Sequence, residues 1–275
     1  MGNYKIRQID GATWQLEDPF HTYLYVIEGE REAVLFDAGN GFSGLSETIR
    51  TLTDKPVSVI LSHGHFDHTG CAGEFEHGRV WISQRDEKLM REGFEREYRE
   101  KEADFFCALY QVRMTERERA DFAEVKAPAR YSYLAEGDVF DPGERPLRVI
   151  ETPGHTRGSI CLLDERNRML FSGDTVCNNE ILVYFDHSAT VEDVLASDEK
   201  LYGLRDRYDA IWPGHHSCPL GAEIIEDYET AARRILENPR IGERVELAEG
   251  HKLLYSYRTI GISYLPETVY RDDSR

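Results

Sequence analysis

The segment Ser62-His63-Gly64-His65-Phe66-Asp67-His68 follows directly on the apolar run Val57-Ser58-Val59-Ile60-Leu61. No other feature of the chain limits its fold as sharply. Val57 to Leu61 has the length and β-branched content of a short buried strand. The chain must therefore leave a sheet and at once present three imidazoles and a carboxylate within six residues. His63 and His65, two apart, point the same way from an extended segment, because strand side chains repeat every second residue. Asp67 and His68 come after the turn has begun and face a neighbouring point. The spacing implies two adjacent metal positions, not one.

The rest of the chain reads as strands and helices arranged around that loop. Short strands are expected at Tyr4–Ile9, Thr13–Leu16, Tyr23–Ile27 and Ala33–Phe36, separated by Asp10-Gly11, Asp18-Pro19 and Glu28-Gly29-Glu30. The fourth ends in Asp37-Ala38-Gly39-Asn40-Gly41. Asp37 has two readings there, a turn-former beside glycine or a brace for the histidine loop. Leu45–Leu52 reads as a short helix and Arg79–Ile82 as a strand. Gly70 and Gly73 are expected to let the backbone pass close to the metal site.

Composition shifts at Ser83. Ser83 with Asp86 resembles a capping box opening one long helix, and Thr115 with Glu118 opens a second. Leu89, Met90, Phe94, Tyr98, Phe105, Phe106, Leu109 and Tyr110 recur at helical spacing. Glu92/Arg96, Glu95/Arg99 and Glu97/Lys101 are expected on the wet side. Residues 84–128 are thus a helical insertion in a strand-rich domain spanning 1–275, serving either as a docked element or as a lid over a substrate pocket. Strands resume at Tyr131–Leu134, Leu147–Ile150, Ser159–Leu163 and Met169–Phe171, with Asp164–Arg168 as a hairpin loop. Helices are expected from Thr190 to Leu204 and from Gly221 to Asn238, a core strand at Asp209–Trp212, a strand-like stretch at Lys252–Leu265 and a frayed tail at Asp272–Arg275. The coarse echo of strands followed by helices, once before the insertion and once after, suits two similar halves.

The 275 residues carry 33 Lys+Arg against 51 Asp+Glu, a net charge of −18. A chain this acidic is repelled by a phosphate backbone, so nucleic acid is not an expected partner. A small anionic substrate stays open, because a bound metal pair dominates its local field. Met1–Arg7 has no apolar export region and no run reaches membrane-spanning length. The expectation is a cytoplasmic chain with no membrane partner and a small-molecule substrate. Cys71, Cys107, Cys161, Cys177 and Cys218 are odd in number and scattered, which suits reduced thiols.

Three further segments share the pattern of a strand end, a glycine and then a metal-competent side chain. They are Thr152-Pro153-Gly154-His155, Phe171-Ser172-Gly173-Asp174 and Trp212-Pro213-Gly214-His215. Together with His63, His65, Asp67 and His68, this set resembles the metallo-β-lactamase superfamily, in particular the dinuclear branch containing glyoxalase II and lactonases. The resemblance covers residues 20 to 236. It implies an α/β (α+β) fold, a four-layer αββα sandwich of two mixed sheets. It also implies two divalent metal ions, Zn foremost with Fe or Mn as alternatives. His63, His65 and His155 would hold the first ion, Asp67, His68 and His215 the second, with Asp174 bridging. Asp67 and Asp174 would act in catalysis by holding a metal-bridging hydroxide, nucleophilic at neutral pH, and shuttling its proton.

The implied activity is hydrolysis of an ester, thioester or lactone of a small molecule. Alternatives on the same scaffold are a mononuclear-iron persulfide dioxygenase and a small-molecule phosphodiesterase. Secreted dizinc β-lactamases of this family carry cysteine where this chain has Asp174, and some lactonases carry a catalytic tyrosine where it has Cys177. Tyr184, His187, His216 and Arg157 are the candidates for the substrate pocket.

Overall fold

The apolar runs at the N terminus pair in chain order. The computed structural model describes residues 3–75, 79–248 and 250–271; His77 and the tail 272–275 lie outside them. The chain divides into two compact units, Met1–Leu147 and Arg148–Arg275.

In the first unit, β1 (Lys5–Asp10), β2 (Thr13–Glu17), β3 (Tyr23–Glu28) and β4 (Ala33–Phe36) form an antiparallel meander. Helix α1 (Leu45–Arg50) then carries the chain over to β5 (Val57–Ile60), which lies parallel to β4. The short α2 (Phe66–Thr69) follows the histidine loop and β6 (Val80–Ser83) lies parallel to β5. After α3 (Glu87–Glu92), α4 (Arg96–Tyr110) and α5 (Glu116–Ala123), β7 (Ser132–Leu134) completes a seven-stranded sheet in the order β1 to β7. β8 (Val139–Phe140) is the last strand wholly within this unit. Leu24, Val26, Leu35, Val59 and Ile82 from the sheet share one buried core with Leu61, with Leu45 and Ile49 of α1 and with Met90 of α3.

In the second unit, β9 (Leu147–Glu151), β10 (Ile160–Asp164), β11 (Met169–Gly173) and β13 (Ala210–Pro213) lie in the order β13-β11-β10-β9. The expected hairpin joins β10 to β11, and β13 runs parallel to β11. The remaining strands form a separate sheet, β12-β16-β15-β14, from β12 (Glu180–Val183), β14 (Glu243–Glu246), β15 (His251–Tyr257) and β16 (Ile260–Tyr264). Helices α6 (Val191–Gly203) and α7 (Glu223–Glu237) supply Val194, Leu201, Ile225, Tyr228, Ala232 and Ile235 to a core with Ile262 and Tyr264. Thr190 with Asp193 caps α6 and Thr115 with Glu118 caps α5, both with reciprocal bonds.

The 84–128 interval differs from expectation in two ways. The long helix is broken after α3, because Gly93 packs on Phe66, where a Cβ would lie 3.1 Å from that residue's Cβ. The Gly93 carbonyl also accepts from Arg99 Nη1 at 3.2 Å. Arg99 itself is not on the wet side but 0% exposed. Its Nε donates to Phe122 O at 2.6 Å, its Nη2 donates to Asn40 O, and the guanidinium lies over the Phe122 ring. Burial pushes its pKa down to about 10. Arg96 pairs with Glu100 and Glu124. The aromatic stripe docks onto the unit, with Phe106 against Phe20 and Phe66 and Tyr110 against Phe20.

Asp198 on α6 is 1% exposed, and neither carboxyl oxygen has a hydrogen-bond partner among the described residues. Burial, with Glu229 and Glu199 nearby, pushes its carboxyl well above the ordinary aspartate range. Below the unfolded value of about 3.9 both states are protonated and the shift itself costs nothing. Above it only the unfolded chain ionises freely, so stability is lost as pH rises through that value. Asp198→Asn should therefore gain about 1–3 kcal/mol over the wild type between about pH 4 and pH 7 in urea unfolding. A difference that stays constant over that range would show the carboxylate to be solvated in the folded chain.

Candidate metal centre

The first unit delivers its donors from one loop. β5 sits in the parallel part of the sheet, and ligand-binding loops of such sheets gather at the carboxyl ends of the strands. The chain leaves β5 through Ser62 and His63 and enters α2, which carries Asp67 and His68. His63 is 1% exposed, His68 0% and Asp67 9%. His63 Nε2 and His65 Nδ1 lie 3.0 Å apart, the His63 and His68 ring centroids 4.2 Å apart, and His68 Nε2 lies 3.6 Å from Asp67 Oδ2.

Asp37 holds this loop, and both readings of it apply. Its φ of 66° makes the turn after β4. Its Oδ2 accepts from His68 Nδ1 at 2.8 Å and from Ser62 Oγ at 2.8 Å, and its Oδ1 accepts from Ser62 N at 2.7 Å. Since the Ser62 hydroxyl donates to Asp37, it accepts from His63 Nδ1 at 2.9 Å. Both imidazoles thus carry their proton on Nδ1 and turn the Nε2 lone pair outward.

A second brace is not legible in the sequence. Asp86 Oδ2 accepts from Gly64 N at 2.9 Å, so Asp86 supports the histidine loop instead of serving as a capping-box partner. Gly70 and Gly73 admit backbone, not the metal site. A Cβ at Gly70 would lie 2.4 Å from Asn40 C, and one at Gly73 would lie 1.9 Å from Lys126 O.

The second unit delivers three donors from three strand ends. His155 follows β9, Asp174 follows β11 and His215 follows β13, and Gly214 N donates to Gly173 O at 2.8 Å to tie the last two loops. Asp174 Oδ2 lies 3.6 Å from His155 Nε2 and 3.6 Å from His215 Nε2. His155 Nδ1 donates to Leu182 O at 2.8 Å, which again leaves Nε2 as the donor atom. Neutral imidazoles and carboxylates in this state are ligands for a divalent first-row cation. Two imidazole nitrogens 3.0 Å apart, as in His63 and His65, are compatible when a proton or cation answers their lone pairs. The donor chemistry fits a metal.

The family model for the metallo-β-lactamase superfamily matches residues 18–216. The chain belongs to the metallo-β-lactamase superfamily. It is a metal-dependent hydrolase with that superfamily's mixed α/β fold. The chain is similar to the acyl-coenzyme A thioesterase MBLAC2 of Gallus gallus, 30% identical over 215 residues covering 74% of each chain. The human protein of that name is 29% identical over 236 residues, covering 78% of this chain and 81% of the relative. A probable polyketide biosynthesis zinc-dependent hydrolase of Bacillus velezensis, BaeB, is 24% identical over 215 residues, covering 77% and 79%. Among solved structures, a metallo-β-lactamase family protein of Thermus thermophilus matches with a TM-score of 0.62 at 20% identity, covering 84% and 82%. Among the described residues no helix is long and apolar enough to cross a membrane.

The expected pocket residues fall in different settings. His187 stacks on Phe185 at 5.0 Å and its backbone carbonyl accepts from Arg157 N. Burial, helped by the nearby His155 and Arg157, pushes the His187 pKa down to about 4, which keeps the imidazole neutral. Tyr184 packs on Phe185 and lies beneath Lys252 Nζ. Ser188 Oγ donates to His155 O at 2.8 Å, so the 184–188 segment buttresses a ligand loop. The Arg157 side chain is exposed. His216 faces Asn179 Nδ2 at 3.4 Å. Cys177, 5% exposed, packs against Tyr228 OH, and burial pushes its thiol up to about 12. It is a packing residue.

Proposed function

We propose that this chain is a dinuclear hydrolase of small-molecule thioesters. His63, His65 and His155 hold one divalent ion, Asp67, His68 and His215 the second, and Asp174 serves both. Within the first unit His63, His65, Asp67 and His68 are offered by one loop, and within the second His155, Asp174 and His215 are offered by three strand ends. The observation that carries the reading is the position of Asp174, its Oδ2 equidistant at 3.6 Å from the Nε2 atoms of His155 and His215. One carboxylate oxygen placed between imidazoles assigned to different ions is the geometry of a shared ligand. The restriction to thioesters is supported by the MBLAC2 relatives, which are named acyl-coenzyme A thioesterases.

When bound, the two ions supply Lewis-acid polarisation of the acyl carbonyl and lower the pKa of the attacking water. The protein's own residues do the rest. Asp67 and Asp174 orient the water as acceptors and take its proton as its oxygen bonds to the acyl carbon. The carbon–sulfur bond then breaks, and the sulfur leaves as a thiolate that recovers a proton. A thiol with an ordinary pKa of about 8.5 needs little help from a general acid to leave. Asp37 and Asp86 hold the histidine loop in place so that no reorganisation is required during the reaction.

The experiment is elemental analysis of the purified chain followed by a substrate panel. Two zinc-like ions per chain and thioester turnover that is lost to a chelator and restored by zinc are expected. One iron per chain with oxygen uptake on a persulfide, or turnover of bis-aryl phosphates with none on thioesters, would overturn the proposal.

A further inference from the structure

The loop leaving β11 with Asp174 and the loop leaving β13 with His215 are joined at two levels. At their roots Gly214 N donates to Gly173 O at 2.8 Å. Farther out, Ser217 N donates to Asn178 Oδ1 at 3.0 Å, and Asn179 Nδ2 lies 3.4 Å from His216 Nε2. Between the two ties the chain turns through His216, whose φ of 68° is left-handed, a backbone state that persists only where its surroundings hold it. Asn178 is itself held from both sides. The buried Tyr228 hydroxyl on α7 meets the carbonyls of Cys177 at 2.8 Å and Asn179 at 3.1 Å, and Gly261 N of β16 donates to Asn179 O at 2.9 Å. The Asn178 side chain therefore reaches from an anchored segment to the chain just past His215.

We propose that Asn178 is a positioning residue whose amide oxygen fixes His215 against Asp174 and so sets how tightly the second ion is held. The proposal rests on the dinuclear reading and deepens it. His215 lies between Gly214 and Ser217, which are both tied to the loop that carries Asp174. With one tie the His215 loop pivots on it; with two, the 3.6 Å separation of His215 Nε2 from Asp174 Oδ2 is fixed. A metal site requires this, because donor atoms displaced by a fraction of an ångström no longer share one cation well. The His155 side of Asp174 is independent of Asn178. His155 is oriented by Leu182 O through Nδ1, and Ser188 Oγ holds its carbonyl. Losing the Asn178 bond should therefore weaken the second ion and spare the first. The bond lies at the surface, so its loss should leave the fold as stable as before.

The test is titration of the metal-free chain with zinc against a chromophoric chelator. The wild type should bind two ions. In Asn178→Ala the second should bind about 10–100-fold more weakly, the usual cost of losing a partner that orients a ligand, and the first as before. Asn178→Asp, which keeps an oxygen for the Ser217 amide, should restore the second ion. Cobalt(II) in place of zinc gives an independent readout. The visible absorption gained with the second ion should change in Asn178→Ala, and that gained with the first should not. Urea unfolding of the metal-free variants should match the wild type. An unchanged second affinity in Asn178→Ala would overturn the proposal, as would equal weakening of both ions or a failure of Asn178→Asp to restore binding. A metal-free Asn178→Ala that unfolds well before the wild type would assign the residue to the fold instead. A wild type that binds a single ion would remove the dinuclear reading itself, and the proposal with it.

Discussion

Replacing His65 with alanine should empty the proposed first metal position and lower kcat/KM by roughly a thousandfold or more, the scale of losing a principal electrostatic stabiliser. The expectation follows from the local geometry. His65 Nδ1 lies 3.0 Å from His63 Nε2, so the two nitrogens serve one point, and a single remaining imidazole on that strand end holds a cation far less well. The fold should survive, because His65 is only half-buried and its partner His63 is held independently through Ser62 and Asp37. Metal content by elemental analysis, kinetics and an unfolding curve separate the alternatives. Full turnover with the metal gone would remove the hydrolytic mechanism, and unfolding of the variant would assign His65 to the fold.

The second large effect is on stability. Arg99→Ala should destabilise the protein by about 3–5 kcal/mol, read as a lower midpoint in denaturant. The guanidinium is fully buried and donates to the carbonyls of Phe122, Gly93 and Asn40, which belong to three different segments. Removing it leaves those acceptors without the donor and opens a cavity under the Phe122 ring. Arg99→Lys should recover only part of the loss, since an ammonium lacks the planar fork that reaches three directions. If Arg99→Ala shifts the midpoint by less than a surface substitution does, the staple is not structural.

Much of the fold was written locally. The strands from Thr13 to Phe36 alternate or run apolar and are separated by turn residues, and the boxes at Thr115 and Thr190 need only four residues to be recognised. His155, Asp174 and His215 stand out because each follows a strand and a glycine, whereas His63, His65, Asp67 and His68 stand out by their spacing within one loop. What escaped depends on distant partners. Asp86 looks like a helix cap until Gly64, 22 residues earlier, is seen to donate to it. Arg99 looks like a surface partner of Glu95 until three carbonyls converge on it. β12 is four residues long and takes its parallel pairing from β16, with Glu180 opposite Gly261, far along the chain.

The Arg145 side chain, 3% exposed, donates to Ala12 O, Glu28 O and Thr13 Oγ1, and the backbone at Pro142 and Gly143 receives the amides of Glu30, Arg31 and Glu32. The earliest hairpins are therefore clasped by a loop made more than a hundred residues later. During translation, a nascent chain emerging at about 5–20 residues per second exposes those hairpins unclasped until the loop has cleared the ribosome. The histidine loop after β5 emerges within that interval, before the loop that clasps those hairpins has been made.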